Sequence, residues 1–180
     1  MKRSLVAGLV LLLAGCQKPL KIYYDVPSFE LTNQRGQPFG SAQLTGHVWV
    51  ADFVFTNCEA SCPRMSSRMR ALQKATDPSV RLVSFSVDPD RDTPPALAEY
   101  AQKYSADPAR WAFLTGSKDV LNMLDRDTFK LGTVGTEIEH STRFALVDRK
   151  GRIRGYYGIA EGDPVSKISH DIALLEKEPA

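Results

Sequence analysis

Two cysteines, Cys58 and Cys62, stand four residues apart in the stretch Phe53-Val54-Phe55-Thr56-Asn57-Cys58-Glu59-Ala60-Ser61-Cys62-Pro63. Thiolates are soft metal ligands and good nucleophiles, so such a pair forms a disulfide, holds a metal, or does both in turn. A purely structural staple is the weaker reading. A 15-residue loop gains roughly 3 kcal/mol from cross-linking and shorter loops gain less, so this one would add little to a domain with a sizeable core. Among metals, soft sulfur donors select Cu(I). Structural zinc uses four ligands, commonly from two closely spaced pairs. The chain has only three cysteines and no second pair, so the ligand chemistry favours copper.

The elements around the pair must place it where it can react. His47 to Phe55 (HVWVADFVF) is a nearly continuous run of β-branched and aromatic residues, which predicts a buried, parallel strand. Thr56 to Cys62 reads as the loop leaving it. Pro63 suits the first turn of a helix, because its missing N–H has no partner there anyway. Met65, Met69 and Leu72 then recur at helical spacing through about Ala75. The thiols therefore sit at the carboxyl end of a strand, where open α/β sheets carry their sites. They also lie at a helix N-terminus, whose partial positive charge favours thiolate.

The rest of the chain continues the alternation. Phe29 to Leu31 and Gln37 to Phe39 suggest a small hairpin. Val80 to Val87 is a strand, and Thr93 before two prolines starts a helix running to Tyr104. Trp111 to Leu114 is a short strand. Ser117 is expected to cap a helix from Lys118 to about Thr128, and Gly132 to Glu139 is irregular or a hairpin. Arg143 to Val147 and Arg152 to Tyr157 pair across a turn, and Pro164 to Lys177 is a last helix. Strands alternating with helices predict an α/β fold whose sheet is covered on both faces. No internal repeat or second domain is visible.

The third cysteine belongs to a different feature. Lys2 and Arg3 precede an apolar run, Leu5 to Leu13, which ends in Leu13-Ala14-Gly15-Cys16. The run is too short to span about 30 Å of hydrocarbon and has the length of a secretory leader. Leu-Ala-Gly-Cys resembles the bacterial lipobox, with Cys16 as the lipidated residue. Loss of the leader removes Lys2 and Arg3 and leaves 21 basic against 21 acidic side chains. A balanced surface gives no reason to expect a nucleic-acid partner. An exported domain permits a Cys58–Cys62 disulfide.

At this point the motifs resemble those of the Sco/SenC copper chaperones. C-x-x-x-C-P after an aromatic-rich strand is the most specific of them. Ser86-Val87-Asp88-Pro89-Asp90-Arg91-Asp92-Thr93-Pro94 is similar to the family's S-V-D-P-x-x-D-T-P. Trp111-Ala112-Phe113-Leu114-Thr115-Gly116 resembles its W-x-F-L-T-G strand, and His140-Ser141-Thr142-Arg143-Phe144-Ala145-Leu146-Val147-Asp148 its histidine segment. The matches run in order from about Leu44 to Gly158. One departure is Glu59, where many members have proline, which bears on loop stiffness and not on the ligands.

The resemblance implies a thioredoxin-like fold: a central mixed sheet flanked by helices, with an added β-hairpin. It implies one copper ion per domain, as Cu(I), Cu(II) or both, held by Cys58, Cys62 and His140. The chain divides on this reading into a leader (1–15), a lipidated tether (16–26) and one copper-binding domain (27–180), anchored to a bacterial membrane on its extracytoplasmic side. The implied partner is the copper-centre subunit of cytochrome c oxidase, or another copper protein. The alternative function is a thiol–disulfide oxidoreductase in which Cys58 and Cys62 keep a partner's cysteines reduced. Against it, thioredoxin-like reductases usually carry C-x-x-C, and His140 would have no role in simple exchange. A peroxiredoxin is excluded by Phe55, which stands where that family's motif has threonine. His47, His170, Met65 and Met69 read as structural, and Tyr23 and Tyr24 carry no motif. Asp88 and Asp92 read as cap and turn residues, one of them with a possible supporting role behind the ligands.

Overall fold

A computed structural model describes residues 19–59, 61–131, 142–160 and 162–179. Seven strands form one sheet: β1 (Glu30–Asn33), β2 (Pro38–Gly40), β3 (Trp49–Val54), β4 (Arg81–Ser86), β5 (Trp111–Thr115), β6 (Arg143–Val147) and β7 (Ile153–Gly158), in the order β2-β1-β5-β4-β3-β6-β7. β3, β4 and β5 run parallel; β6 is antiparallel to β3, and β7 to β6. The β1–β2 hairpin extends the other edge, with β1 antiparallel to β5. This is the thioredoxin-like mixed sheet that the sequence motifs implied, with its added hairpin.

The parallel strands are buried on both faces, which is why β3 reads as a continuous apolar run. On one face lie α1 (Ser61–Ala75), α2 (Pro94–Lys103) and α4 (Pro164–Leu175). They pack Met65, Met69, Leu72, Leu97, Ile168 and Ile172 against Val50, Leu82 and Phe113. Met65 and Met69 are thus core residues, as their spacing predicted. The other face is aromatic: Phe53 and Phe85 stack at 5.1 Å between ring centroids, and Phe29 and Phe129 meet them edge-on or tilted.

Thr93 caps α2 by accepting a hydrogen bond from the Ala96 N–H, as its position before two prolines suggested. Ser117 behaves differently. It stands before α3 (Lys118–Asn122), but its side chain makes no capping bond, and the helix widens into π-helical turns over Met123–Thr128. The Phe129 N–H reaches the Leu124 carbonyl, five residues back. Residues five apart point to different sides of an α-helix. The wider turn lets Leu124 and Phe129 both enter the aromatic core, where each is fully buried.

The two ends of the sheet differ in content. The carboxyl ends of β3 and β4 carry the cysteine loop and the Asp88–Asp92 turn. The opposite end carries the β6–β7 turn, the end of α4 and the first described segment of the chain. That segment, within the stretch expected to be a tether, lies against the β7 edge. Tyr23 N–H donates to the Ile153 carbonyl, Ile153 N–H to that of Tyr24, and Val26 N–H to that of Gly151. Among the described residues no helix is long and apolar enough to cross a membrane.

Candidate metal and redox site

β3 ends at Val54, and the chain turns at once into the loop that holds the thiols. Cys58 N–H bonds back to the Phe55 carbonyl at 3.3 Å. Cys62 lies in the first turn of α1, where backbone N–H groups have no helical partner. Its own N–H points at the Cys58 sulfur, 3.4 Å away, and the Ser61 hydroxyl lies 3.8 Å from the same atom. Cys58 is half-buried and Cys62 is buried, and the two are not joined in a disulfide. The structure therefore brings the two sulfurs together with the inner one shielded and the outer one reachable.

The electrostatics correct one expectation. The helix N-terminus does not make Cys62 a ready thiolate. Burial drives its thiol up to about 12; a backbone hydrogen bond at Phe55 opposes this, while contact with Cys58 and the nearby Asp52 add to it. The favourable end of the helix is outweighed because Cys62 is only 1 % exposed. Exposure makes Cys58 the sulfur that meets a partner first.

Asp92 holds the loop in place. It is only 1 % exposed, and its carboxylate spans two elements. Oδ1 accepts from the Thr56 N–H at 3.0 Å and from the Thr56 hydroxyl at 2.7 Å, while Oδ2 accepts from the Ser86 hydroxyl at 2.6 Å. The carboxylate thereby ties the start of the cysteine loop to the end of β4. Asp88 plays a lesser part: its carboxylate pairs with Arg91 at 2.8 Å within the turn. Of the two aspartates that sequence reading left as cap or turn residues, Asp92 is the one that supports the site.

Sequence reading passed over Asp52. It sits mid-β3, fully buried, directed toward the helical layer that contains Cys62. Ser84 Oγ donates to its Oδ1 at 2.6 Å, and Trp111 Nε1 donates to Ser84 Oγ at 2.9 Å. Its Oδ2 has no hydrogen-bond partner. Burial pushes the carboxyl up to about 7, with the Ser84 bond pulling the other way. The signal was present, since Asp52 is the one acid in the run from His47 to Phe55.

His140 and Cys16 lie outside the described residues, as does the stretch Gly132 to Glu139. Among the described residues no three His, Cys, Asp or Glu side chains gather closely enough to hold a metal ion. The two thiols fit a soft ion and supply two donors to it. His47 is occupied structurally, its Nδ1 lying 3.0 Å from the Ser79 carbonyl at the far end of the sheet. His170 lies on α4.

Comparison with known proteins adds a consistent picture. The SCO1/SenC family model matches residues 23–175. The SCO1 protein homolog of Bacillus subtilis (strain 168) is 36% identical over 182 residues, covering 94% of each chain. A relative from Stutzerimonas stutzeri, named for copper binding, is 34% identical over 73% of this chain and 68% of its own. Among solved structures, a SCO1/SenC family lipoprotein from Bacillus anthracis str. Ames superimposes with a TM-score of 0.77 at 39% identity, covering 86% of this chain and 96% of that one. BsSco, described as a member of the Sco family of cytochrome c oxidase assembly proteins with a disulfide switch, superimposes with a TM-score of 0.79 at 34% identity, covering 90% of this chain and all of its own.

Proposed function

This chain belongs to the SCO1/SenC family, and on that premise we propose that it is a lipid-anchored copper chaperone for assembly of the dinuclear copper centre of cytochrome c oxidase. The observation that carries the reading is the thiol pair itself: two cysteines in the reduced state, the inner N–H directed at the outer sulfur, on a loop strapped by Asp92 to the neighbouring strand. Cys58 and Cys62 bind the ion as thiolates and His140 completes the set. A three-ligand set leaves one side open to a ligand from the acceptor, so the cargo passes by exchange of one donor at a time. Both thiols lose protons on loading, and the strap keeps the loop in place while they do so. The anchor is the acylated Cys16 of the Leu-Ala-Gly-Cys motif, and a Bacillus anthracis family member described as a lipoprotein supports it. The domain then faces the extracytoplasmic side.

A second reading is favoured by the same contact between the sulfurs and by the disulfide switch described for BsSco. In it Cys58, the outer thiol, attacks a disulfide of the partner. The partner's cysteine leaves as a thiolate, and Cys62 then attacks the mixed disulfide at the Cys58 sulfur. The partner ends with two thiols, and this chain ends with a Cys58–Cys62 disulfide.

Titration of the reduced chain from Pro19 onward with copper separates the two. Chaperone function predicts tight one-to-one binding that Cys58→Ser, Cys62→Ser and His140→Ala each weaken by orders of magnitude. Retention of tight binding in the cysteine variants overturns it. Weak binding indifferent to His140→Ala, together with rapid reduction of a disulfide substrate, favours the oxidoreductase.

A further inference from the structure

Among the described residues, the exposed large apolar side chains are gathered in one place. Among the described residues, the large hydrophobic side chains left in solvent are Ile22, Tyr23 and Tyr24, at 50, 39 and 48 % exposure. They are consecutive, and they do not sit on a loose tail. Backbone hydrogen bonds at Tyr23, Tyr24 and Val26 hold the segment to β7 and the β6–β7 turn. Arg154, itself buried, donates from Nη2 to the Leu20 carbonyl at 2.8 Å and from Nε to the Lys21 carbonyl at 3.2 Å. Leu20 packs into the core beside these contacts. The Tyr23 ring meets Tyr156 edge-on at 5.2 Å, and the Lys21 ammonium lies 4.6 Å from the centre of the Tyr23 ring.

What covers this patch follows from where the chain goes next. Only Gln17, Lys18 and Pro19 separate Cys16 from the fixed Leu20. Four steps of fully extended chain reach at most about 14 Å. A diacylglycerol on Cys16 therefore holds this edge of the domain within that distance of the acyl chains. Tyrosine is enriched where one end of a side chain is apolar and the other wet, as in the interfacial belts of membrane proteins. Lysine extends its ammonium toward phosphate while its stem stays on apolar surface. Lys21 and Lys150, both exposed, lie at this end of the sheet.

We propose that Ile22, Tyr23 and Tyr24 form a foot that seats in the interface of the phospholipid bilayer carrying the anchor. The inference rests on the lipid anchor at Cys16 proposed above and adds an orientation to it. The foot bonds to β7 beside Ile153, at the end of the sheet opposite the cysteines, because Ile153 aligns with Val147 and Val147 with Trp49, the first residue of β3. The cysteine loop leaves the other end of β3. The six residues of that strand span about 17 Å, so Cys58 is presented away from the bilayer, toward a partner's exposed domain.

The test uses the full acylated chain in vesicles of phosphatidylethanolamine and phosphatidylglycerol doped with lipids brominated in their acyl chains. Tyr23→Trp places an indole in the foot, and Lys118→Trp places one at the cysteine end; native Trp49 and Trp111 are buried and set the background. The expected result is at least several-fold stronger bromolipid quenching of the added fluorescence in Tyr23→Trp than in Lys118→Trp. Quenching in Tyr23→Trp should weaken when Ile22→Ser and Tyr24→Ser are added, with the protein still sedimenting with vesicles. Equal or absent quenching in vesicle-bound protein overturns the foot while leaving the anchor intact. Protection of Tyr23 in native membranes but not in pure lipid assigns the patch to a protein and overturns it too. Protein that stays in the supernatant overturns the anchor and the foot together.

Discussion

Asp52, within β3, and Asp148, just past the end of the adjoining strand β6, are the same residue type and nearly equally buried, at 0 and 4 % exposure. Their surroundings drive them in opposite directions. Burial pushes Asp52 up to about 7, and one hydroxyl, Ser84, opposes it. Burial also pushes Asp148 up, but bonds from Arg152, Arg154 and the Lys150 backbone outweigh it and hold the carboxyl below the usual range. Asp148 Oδ2 pairs with Arg154 and Arg152 at 2.8 Å each, and Arg154 reaches on to Glu178 at 2.7 Å. The end of the sheet that carries the first and last described segments thus holds a closed ionic cluster. The layer under the cysteines keeps a carboxyl with one oxygen unpartnered. One region is satisfied for rigidity; the other stores an unmet electrostatic demand beneath reactive sulfur.

Breaking the closed cluster should have the largest effect. Arg154→Ala leaves Asp148 beside Glu178 and strips the Leu20 and Lys21 carbonyls of their donor. Removing one partner of a buried pair costs about 3–5 kcal/mol, which urea denaturation would read as a lower midpoint. Hydrogen exchange should also rise at Tyr23 and Val26. An Arg154→Ala loss below roughly 1 kcal/mol would mean that the cluster is not a clamp.

Asp52 tests the other half through pH. The folded state binds its proton up to about 7, whereas an ordinary carboxyl releases it near 3.8. The folded protein therefore holds more protons across that window, and stability falls as pH rises through it. A shift of this size corresponds to roughly 4 kcal/mol. Asp52→Asn should match the parent at about pH 4 and exceed it above pH 7. Asp148 contributes with the opposite sign, its stabilisation being lost as acid protonates it. A parent and variant that differ equally at every pH would refute the assignment to Asp52.

Asp92 is also buried, and each of its carboxyl oxygens accepts hydrogen bonds. Asp92→Ala frees the Thr56 N–H and hydroxyl, so the cysteine loop loses its strap. Groups that orient metal ligands typically account for about 10–100-fold in metal affinity. Copper affinity should fall by that factor, and unfolding should shift less. Unchanged affinity would confine Asp92 to a turn.

The sequence carried much of this, unevenly. The strand–helix order, the hairpin, the Thr93 cap and the buried methionines follow local periodicity and turn chemistry, which neighbouring residues determine. The helix expected from Lys118 to about Thr128 is there, but its second half winds as a π-helix, because Leu124 and Phe129 answer to an aromatic cluster drawn from other strands and loops. For the site, the thiols announced themselves by type and spacing. Asp92 was visible as a cap or turn residue that shared with Asp88 one candidate supporting role, and its partners Thr56 and Ser86, on different elements, are what single it out. Asp52 was hidden in an apolar run, although an acid between Ala51 and Phe53 in a strand buried on both faces needs an explanation. The seating of residues 20–26 on β7 depends on Arg154, more than a hundred residues away.

The smallest expected effect concerns the hydroxyl that opposes burial at Asp52. Ser84 Oγ donates to Asp52 Oδ1 and accepts from Trp111 Nε1, so it transmits one indole donor to the carboxyl. Ser84→Ala removes the only force holding the Asp52 carboxyl down against burial. The titration of Asp52 should move further up, and the indole N–H should lose its partner. A neutral buried hydrogen bond contributes about 1 kcal/mol, and an orphaned donor about 1–3, so the net loss in stability should be near 1–2 kcal/mol when Asp52 is protonated and greater when it is ionised. Carbon-13 detection of the Asp52 carboxyl would report the midpoint directly. An unmoved midpoint in Ser84→Ala would mean that burial alone sets Asp52, and the contrast with Asp148 would then lie entirely in the arginines.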